Sequence, residues 1–127
     1  FVLNPKNINM KKIEAIIRKT KFEDVKDAIK EINIEFFSYW DVRGIGNSHE
    51  ARIYRGVTYD TSVIERTMLT IVVRDKNLEK TVNCIMQVGK TGEVGDGKIF
   101  VSELINSYRI RTGEQGDDSL FIKGKEE

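Results

Sequence analysis

The sequence predicts an α+β domain in which one β-α-β unit is used twice, and three observations carry that expectation. Two apolar stripes at helical spacing each lie between strand-like runs. A polar stretch, residues 44–66, separates the two halves. A chain of 127 residues, 39% of them hydrophobic, has room for one domain and one core. Two β-α-β units in tandem give the split βαβ, or ferredoxin-like, arrangement.

Residues 1–9 contain the sole proline, Pro5, and no periodicity; they read as a leader, a tag or an upstream junction. Lys12-Ile13-Glu14-Ala15-Ile16-Ile17-Arg18 reads as a strand. Thr20 followed by Glu23 has capping-box spacing and predicts a helix start. Phe22, Val25, Ile29 and Ile32, at spacings of three, four and three, then mark one helical face. A second strand is predicted over residues 36–43, closed by Gly44.

The second half repeats this plan. Thr67-Met68-Leu69-Thr70-Ile71-Val72-Val73 is a mostly buried strand. Leu78, Val82, Ile85 and Met86 form a helical stripe that Gly89 is expected to end. Residues 98–105 read as a strand, and Tyr108-Arg109-Ile110-Arg111 alternates like a short extra one. Two helices on one sheet face leave the other uncovered, and such apolar surface calls for a partner, most simply further copies of the chain. The domain is expected over residues 10–120, with a polar tail at 121–127. Residues 44–66 show no convincing period, and unstructured connections beyond about 12–15 residues are usually functional or disordered.

Composition narrows the function classes. Twenty-one basic against twenty acidic residues give a net charge of +1, so there is no bulk electrostatic case for nucleic acid. Cys84 stands alone, which excludes an internal disulfide or a multi-cysteine zinc site and fits a reducing compartment. No apolar run approaches the ~20 residues of a membrane span, and Phe1-Val2-Leu3 is too short for a signal-peptide core. The expectation is a soluble intracellular module.

The most informative segment is Thr91-Gly92-Glu93-Val94-Gly95-Asp96-Gly97-Lys98. From Gly92 to Lys98 it has the glycine and lysine spacing of a phosphate-binding P-loop. Ile99 then stands where a Ser or Thr would bind magnesium, and Ile99-Phe100-Val101 reads as a strand, so the helix-dipole part of that mechanism is missing. What remains is glycines able to take positive φ and aim N–H groups at an anion, with one lysine as a point charge. This suits holding phosphates, and no hydrolytic base accompanies it. The plain alternative is a glycine-rich turn between helix and strand. Arg109 and Arg111 would share one face of a strand and, beside such a loop, make a polyphosphate clamp; taken alone they are two surface arginines. His49, in the polar stretch, has no second ligand or nucleophile in view. Trp40, Phe36 and Phe37 read as core or subunit packing, and Tyr54 and Tyr59 as either anchored or exposed for use.

These residues resemble the PII nitrogen-regulatory signal-transduction family. The likeness lies in Met10-Lys11-Lys12-Ile13-Glu14-Ala15-Ile16-Ile17-Arg18, in the run TGEVGDGKIFV over residues 91–101, and in Arg109-Ile110-Arg111-Thr112-Gly113-Glu114. The resemblance implies a cytoplasmic, non-enzymatic homotrimer with ATP or ADP in clefts between subunits. Magnesium would accompany ATP, 2-oxoglutarate would be sensed, and the target would be a nitrogen-metabolism protein such as an ammonium transporter. A membrane would be met only through that transporter, or through a fusion to one. By position it implies Gly95, Asp96, Gly97 and Lys98 around the phosphates with Arg109 and Arg111 closing on them. Ser38 and Val72 would lie at the adenine, and Gly46 and Asn47 at the loop base. Arg66 with Gly46 would meet the effector. Tyr54-Arg55-Gly56 would form the loop tip, and Tyr59 is the counterpart of a modified tyrosine. Asn47-Ser48 replaces the family's usual Arg-Gln pair, which leaves open a branch that senses another small molecule or controls nitrogenase. A nucleotide-hydrolysing enzyme is the rival from another class.

Overall fold

Strand β1 (Met10–Ile17) lies at the centre of a four-stranded sheet, and everything that positions the site follows from its two neighbours. The computed structural model describes residues 9–34, 36–46, 52–54, 57–59 and 63–121. Helix α1 (Phe22–Glu31) leads to β2 (Ser38–Ile45). Two short strands, β3 (Arg52–Tyr54) and β4 (Val57–Tyr59), pair as a separate antiparallel hairpin. Then β5 (Val63–Arg74) runs directly into α2 (Asp75–Gly89), and β6 (Lys98–Glu103) closes the sheet. The sheet order is β2-β5-β1-β6 with every neighbouring pair antiparallel, the ferredoxin-like pattern that the repeated β-α-β units predict.

The core lies between the helices and one sheet face. On β1 it takes Ile13, Ala15 and Ile17, and on β5 Leu69, Ile71 and Val73, every second residue because side chains alternate. Ile13 stands opposite Ile71 and Ala15 opposite Leu69. Val25, Ile29 and Ile34 from the first half and Ile85 from α2 cover them. Full burial of an aliphatic side chain of this size contributes about 1.5–3 kcal/mol.

The helix starts and stops differ from expectation. Thr20 makes no capping box: the chain passes through a 3-10 turn, Lys19–Lys21, and α1 is capped by Lys21 without a side-chain bond. The backbone supplies that turn itself, Lys21 N–H donating to Arg18 O at 3.0 Å. Exposed and unbonded, Thr20 is expected to tolerate Thr20→Ala within about 0.5 kcal/mol in a chemical-denaturation titration. On α2 the buried line is Asn77, Thr81, Ile85 and Gly89, with Leu78 and Val82 only partly buried and Met86 48% exposed. The buried face is therefore turned by about one residue from the apolar stripe. Thr81 can be buried because its hydroxyl donates to Asn77 O at 2.7 Å. Gly89 does not take the left-handed conformation of a helix stop. A Cβ there would make only ordinary contacts with Val25 and Ile17, at 3.7 and 3.8 Å, so neither conformation nor packing demands a glycine.

Two further expectations are corrected. Strand β2 begins at Ser38, not at Phe36, which is 78% exposed; Phe37 packs partly against the core, and Tyr39 meets the Phe22 ring at 4.4 Å. The polar stretch is structured at its ends, where Gly44 pairs with Ile64 and Ile45 with Val63. Strands of three residues, like those of the hairpin, are too short to display a period of two.

Among the described residues, no helix lies over the opposite sheet face. Trp40, Met68 and Ile16 lie side by side across β2, β5 and β1, and Phe100 follows on β6 beside Glu14. Trp40 is 45% and Phe100 51% exposed.

Candidate functional site

Residues 90–97 join α2 to β6 as a loop whose shape is set from inside. Gly92, Gly95 and Gly97 have φ of 89°, 97° and 105°, the left-handed region that only glycine enters readily, as the spacing predicts. Asp96 is the hub. Its Oδ2 accepts the N–H groups of Thr91 (2.8 Å) and Gly92 (2.9 Å), and its Oδ1 accepts the Thr91 hydroxyl (2.6 Å) and Arg18 Nε–H (2.9 Å). The Thr91 hydroxyl and the Arg18 guanidinium, with those backbone donors, hold its carboxyl well below the usual carboxylate range. A carboxylate so occupied shapes the loop. Among the described residues, the N–H groups of Gly95 and Gly97 have no hydrogen-bond acceptor. Gly97 also lies so close to β1 that a Cβ would overlap the Ile16 carbonyl oxygen.

Register explains why charges gather here. Ile16 stands opposite both Met68 and Lys98, so the residues just beyond, Arg18, Arg66 and Gly97, meet at one end of the sheet. Arg66 donates to Gly95 O from Nε (3.2 Å) and Nη2 (2.8 Å), and from Nη1 to Glu65 O (2.9 Å). Burial and then the neighbouring Arg18 charge lower its pKa. Arg18 donates from Nη2 to Val94 O at 3.0 Å as well as to Asp96. Lys98 is exposed at the start of β6 and has no ion-pair partner among the described residues. Ile99 continues the strand, so no helix N-terminus faces the loop.

Arg18 and Thr91 are the two loop partners that a reading of motifs overlooks. Arg18 is visible in the sequence as the end of a strand, but its meeting with Asp96 depends on pairing between β1 and β6. Arg109 and Arg111 correct an expectation. They do not share the face of a strand, because only an isolated bridge, Tyr108 with Gln115, forms there, and Gly113 N–H closes a turn on Arg109 O at 2.8 Å. Arg109 binds Glu114 Oε1 (3.0 Å), Asp118 O (3.3 Å) and Phe121 O (2.8 Å), while Arg111 is exposed. This segment packs at the far end of the sheet, where Arg74 lies 4.5 Å from the Phe121 ring and 3.6 Å from Asp117.

The remaining positions divide in two. Ser38, opposite Thr70, shares the open sheet face with Val72, two residues along β5. Gly46 follows the end of β2, where a Cβ would press on the tip of Ile64 at 2.6 Å. Asn47, Ser48, His49, Arg55 and Gly56 lie outside the described residues, as do residues 1–8 and 122–127; Tyr54 and Tyr59 are placed only as backbone, ending β3 and β4. Cys84 is half-buried, and burial pushes its thiol pKa up, as for an unreactive packing residue.

Residues 10–114 match the family described as nitrogen regulatory protein P-II. The chain belongs to that family. It is 46% identical to nitrogen regulatory protein P-II 1 of Methanothermobacter thermautotrophicus over 112 residues, which is 87% of this chain and 97% of that protein. It is 38% identical to the P-II protein of Bradyrhizobium diazoefficiens over 112 residues, 87% of this chain and 100% of that one. Among solved structures it resembles the B. subtilis GlnK–ATP complex, with a TM-score of 0.72, 33% identity and coverage of 87% and 97% of the two chains. Arabidopsis thaliana PII bound to citrate gives a TM-score of 0.72, 32% identity and coverage of 87% and 92%. This P-II chain thus has the ferredoxin-like sheet and a glycine loop at one sheet end, with Asp96, Arg18 and Arg66 fixing the loop.

Proposed function

We propose that this P-II protein is a regulator, not an enzyme, that binds ATP or ADP in clefts between the subunits of a homotrimer. The observation that carries the reading is the glycine loop: two N–H groups without acceptors, a neighbouring Lys98, and Asp96 fully engaged in holding them in place. Such a nest of N–H groups suits phosphate oxygens. Arg109 and Arg111 complete the clamp from a neighbouring copy, since β6, six residues at about 3.3 Å each, separates them from the loop of their own chain. The uncovered face carrying Trp40, Met68 and Phe100 supports the assembly of copies. Ser38 and Val72 would meet the adenine, Gly46 and Asn47 the loop base, and magnesium would accompany ATP. The B. subtilis GlnK–ATP complex supports the choice of ligand. Asp96 is unsuited to act as a base, which argues against hydrolysis.

The effector reading follows from Arg66. It would grip a 2-oxoglutarate carboxylate beside Gly46, and a citrate-bound relative supports a carboxylate ligand. Its guanidinium already holds Gly95 O, so binding the effector means giving up those bonds. We expect 2-oxoglutarate to bind weakly or not at all, and Arg66→Ala to remove what binding exists. Tight, ATP-dependent binding that survives Arg66→Ala would overturn this. The output would be a nitrogen-metabolism protein, such as an ammonium transporter, met by Tyr54-Arg55-Gly56, with Tyr59 open to modification. Calorimetry with ATP and ADP, alongside light scattering for the trimer and a phosphate-release assay with magnesium ATP, tests the whole reading. A monomer that hydrolyses ATP would sink it.

A further inference from the structure

Successive carbonyls of the glycine loop, Val94 O and Gly95 O, are each held by a different guanidinium, from Arg18 and Arg66 respectively. With Val94 O turned toward Arg18, the Val94–Gly95 peptide is held against rotating its oxygen to where the Gly95 N–H now lies, and Arg66 fixes the next peptide in the same way. The same Arg18 grips the hub carboxylate through Nε, so one side chain fixes both the hub and the rim of the loop. A Cβ at Gly95 would come within 3.1 Å of Arg66 Nη2 and 3.5 Å of Arg18 Nη2, which shows how closely the two cations converge. Between them stands one carboxylate, Asp96. The loop and its two arginines carry four cations, Arg18, Arg66, Lys90 and Lys98, against two anions, Glu93 and Asp96, a surplus that an incoming anion would neutralise.

We propose that Arg18 is a positioning residue for the phosphate site: it holds the glycine loop in its anion-binding form through Asp96 and Val94 and does not touch the ligand. This rests on the nucleotide reading above and adds a residue to it. Arg18 lies beyond the last core position of β1, Ile17, so losing its head group leaves the core packing as it is. The effect should therefore be confined to the loop and to ligands that use it. A polyphosphate should feel it more than a nucleoside, because only the phosphates need the N–H nest.

The test compares wild type with Arg18→Gln and Arg18→Lys, using calorimetry with ATP and with adenosine, and amide hydrogen exchange over residues 91–97. Arg18→Gln should lower ATP affinity about tenfold, leave any adenosine binding unchanged, and speed exchange at Thr91 and Gly92, whose N–H groups Asp96 now accepts. Arg18→Lys keeps the charge and should recover part of both effects. Combining Arg18→Gln with Asp96→Asn should weaken ATP by less than the two single effects added together, since the two side chains share one contact and only the bond from Arg18 to Val94 O is separate. Should Arg18→Gln not fold, Arg18→Lys carries the same comparison. Unchanged ATP affinity overturns the proposal. So does weakened ATP binding with unchanged exchange, because Arg18 would then be meeting the ligand directly. A wild-type protein that binds no ATP overturns the nucleotide reading, while faster exchange in Arg18→Gln would still place Arg18 as the loop's anchor.

Discussion

Gly97→Ala is expected to abolish measurable ATP binding while the sheet and helices remain folded. Two independent costs coincide at this position. Its φ of 105° lies where a side chain is strained, at about 1–2 kcal/mol. Its Cβ would also overlap the Ile16 carbonyl, which is backbone of the central strand and cannot step aside. The loop must therefore lift off β1, carrying Lys98 and the N–H nest with it. Loss of one charge-assisted contact is on the order of 10- to 150-fold in affinity, and this change removes several together. Gly44→Ala is the matched control, because Gly44 has no positive φ and a Cβ there would meet nothing within 4 Å. Calorimetry with ATP and circular dichroism on both variants check it. Wild-type ATP affinity in Gly97→Ala would mean that the ligand does not use this loop.

The second large effect concerns which chain supplies which charge. Lys98→Ala and Arg109→Ala should each weaken ATP by about 10- to 150-fold in pure assemblies. When the two variants are unfolded together and refolded as mixed trimers, tight binding should return to a fraction of the sites. In any mixed cyclic trimer one junction joins an intact Lys98 on one copy to an intact Arg109 on the next. If both residues served a site within one chain, no mixture could restore it. Calorimetric stoichiometry of the mixed sample decides between these outcomes. The geometric motive is that β6 runs from Lys98 to Glu103 and delivers the chain to the end of the sheet opposite the glycine loop.

What the sequence determined by itself is whatever depends on neighbours along the chain. The alternation of Ile13, Ala15 and Ile17, and the stripe of Phe22, Val25 and Ile29, are local periods, so strands, helices and their order were legible. The positive φ of Gly92, Gly95 and Gly97 was legible too, because only their lack of a Cβ is needed to anticipate it. The tertiary structure decided what depends on residues far apart in the chain. Strand register brings Arg18, Arg66 and Asp96 together, and no spacing within one segment encodes that meeting. Alternation of Tyr108-Arg109-Ile110-Arg111 suggested a strand, yet Glu114 and the backbone of Asp118 and Phe121 hold Arg109 in a turn, at a cost that pattern alone could not weigh. Thr81 was hidden for the same reason in reverse: its polarity argues for the surface, but a bond to its own helix backbone satisfies the hydroxyl and lets the side chain be buried.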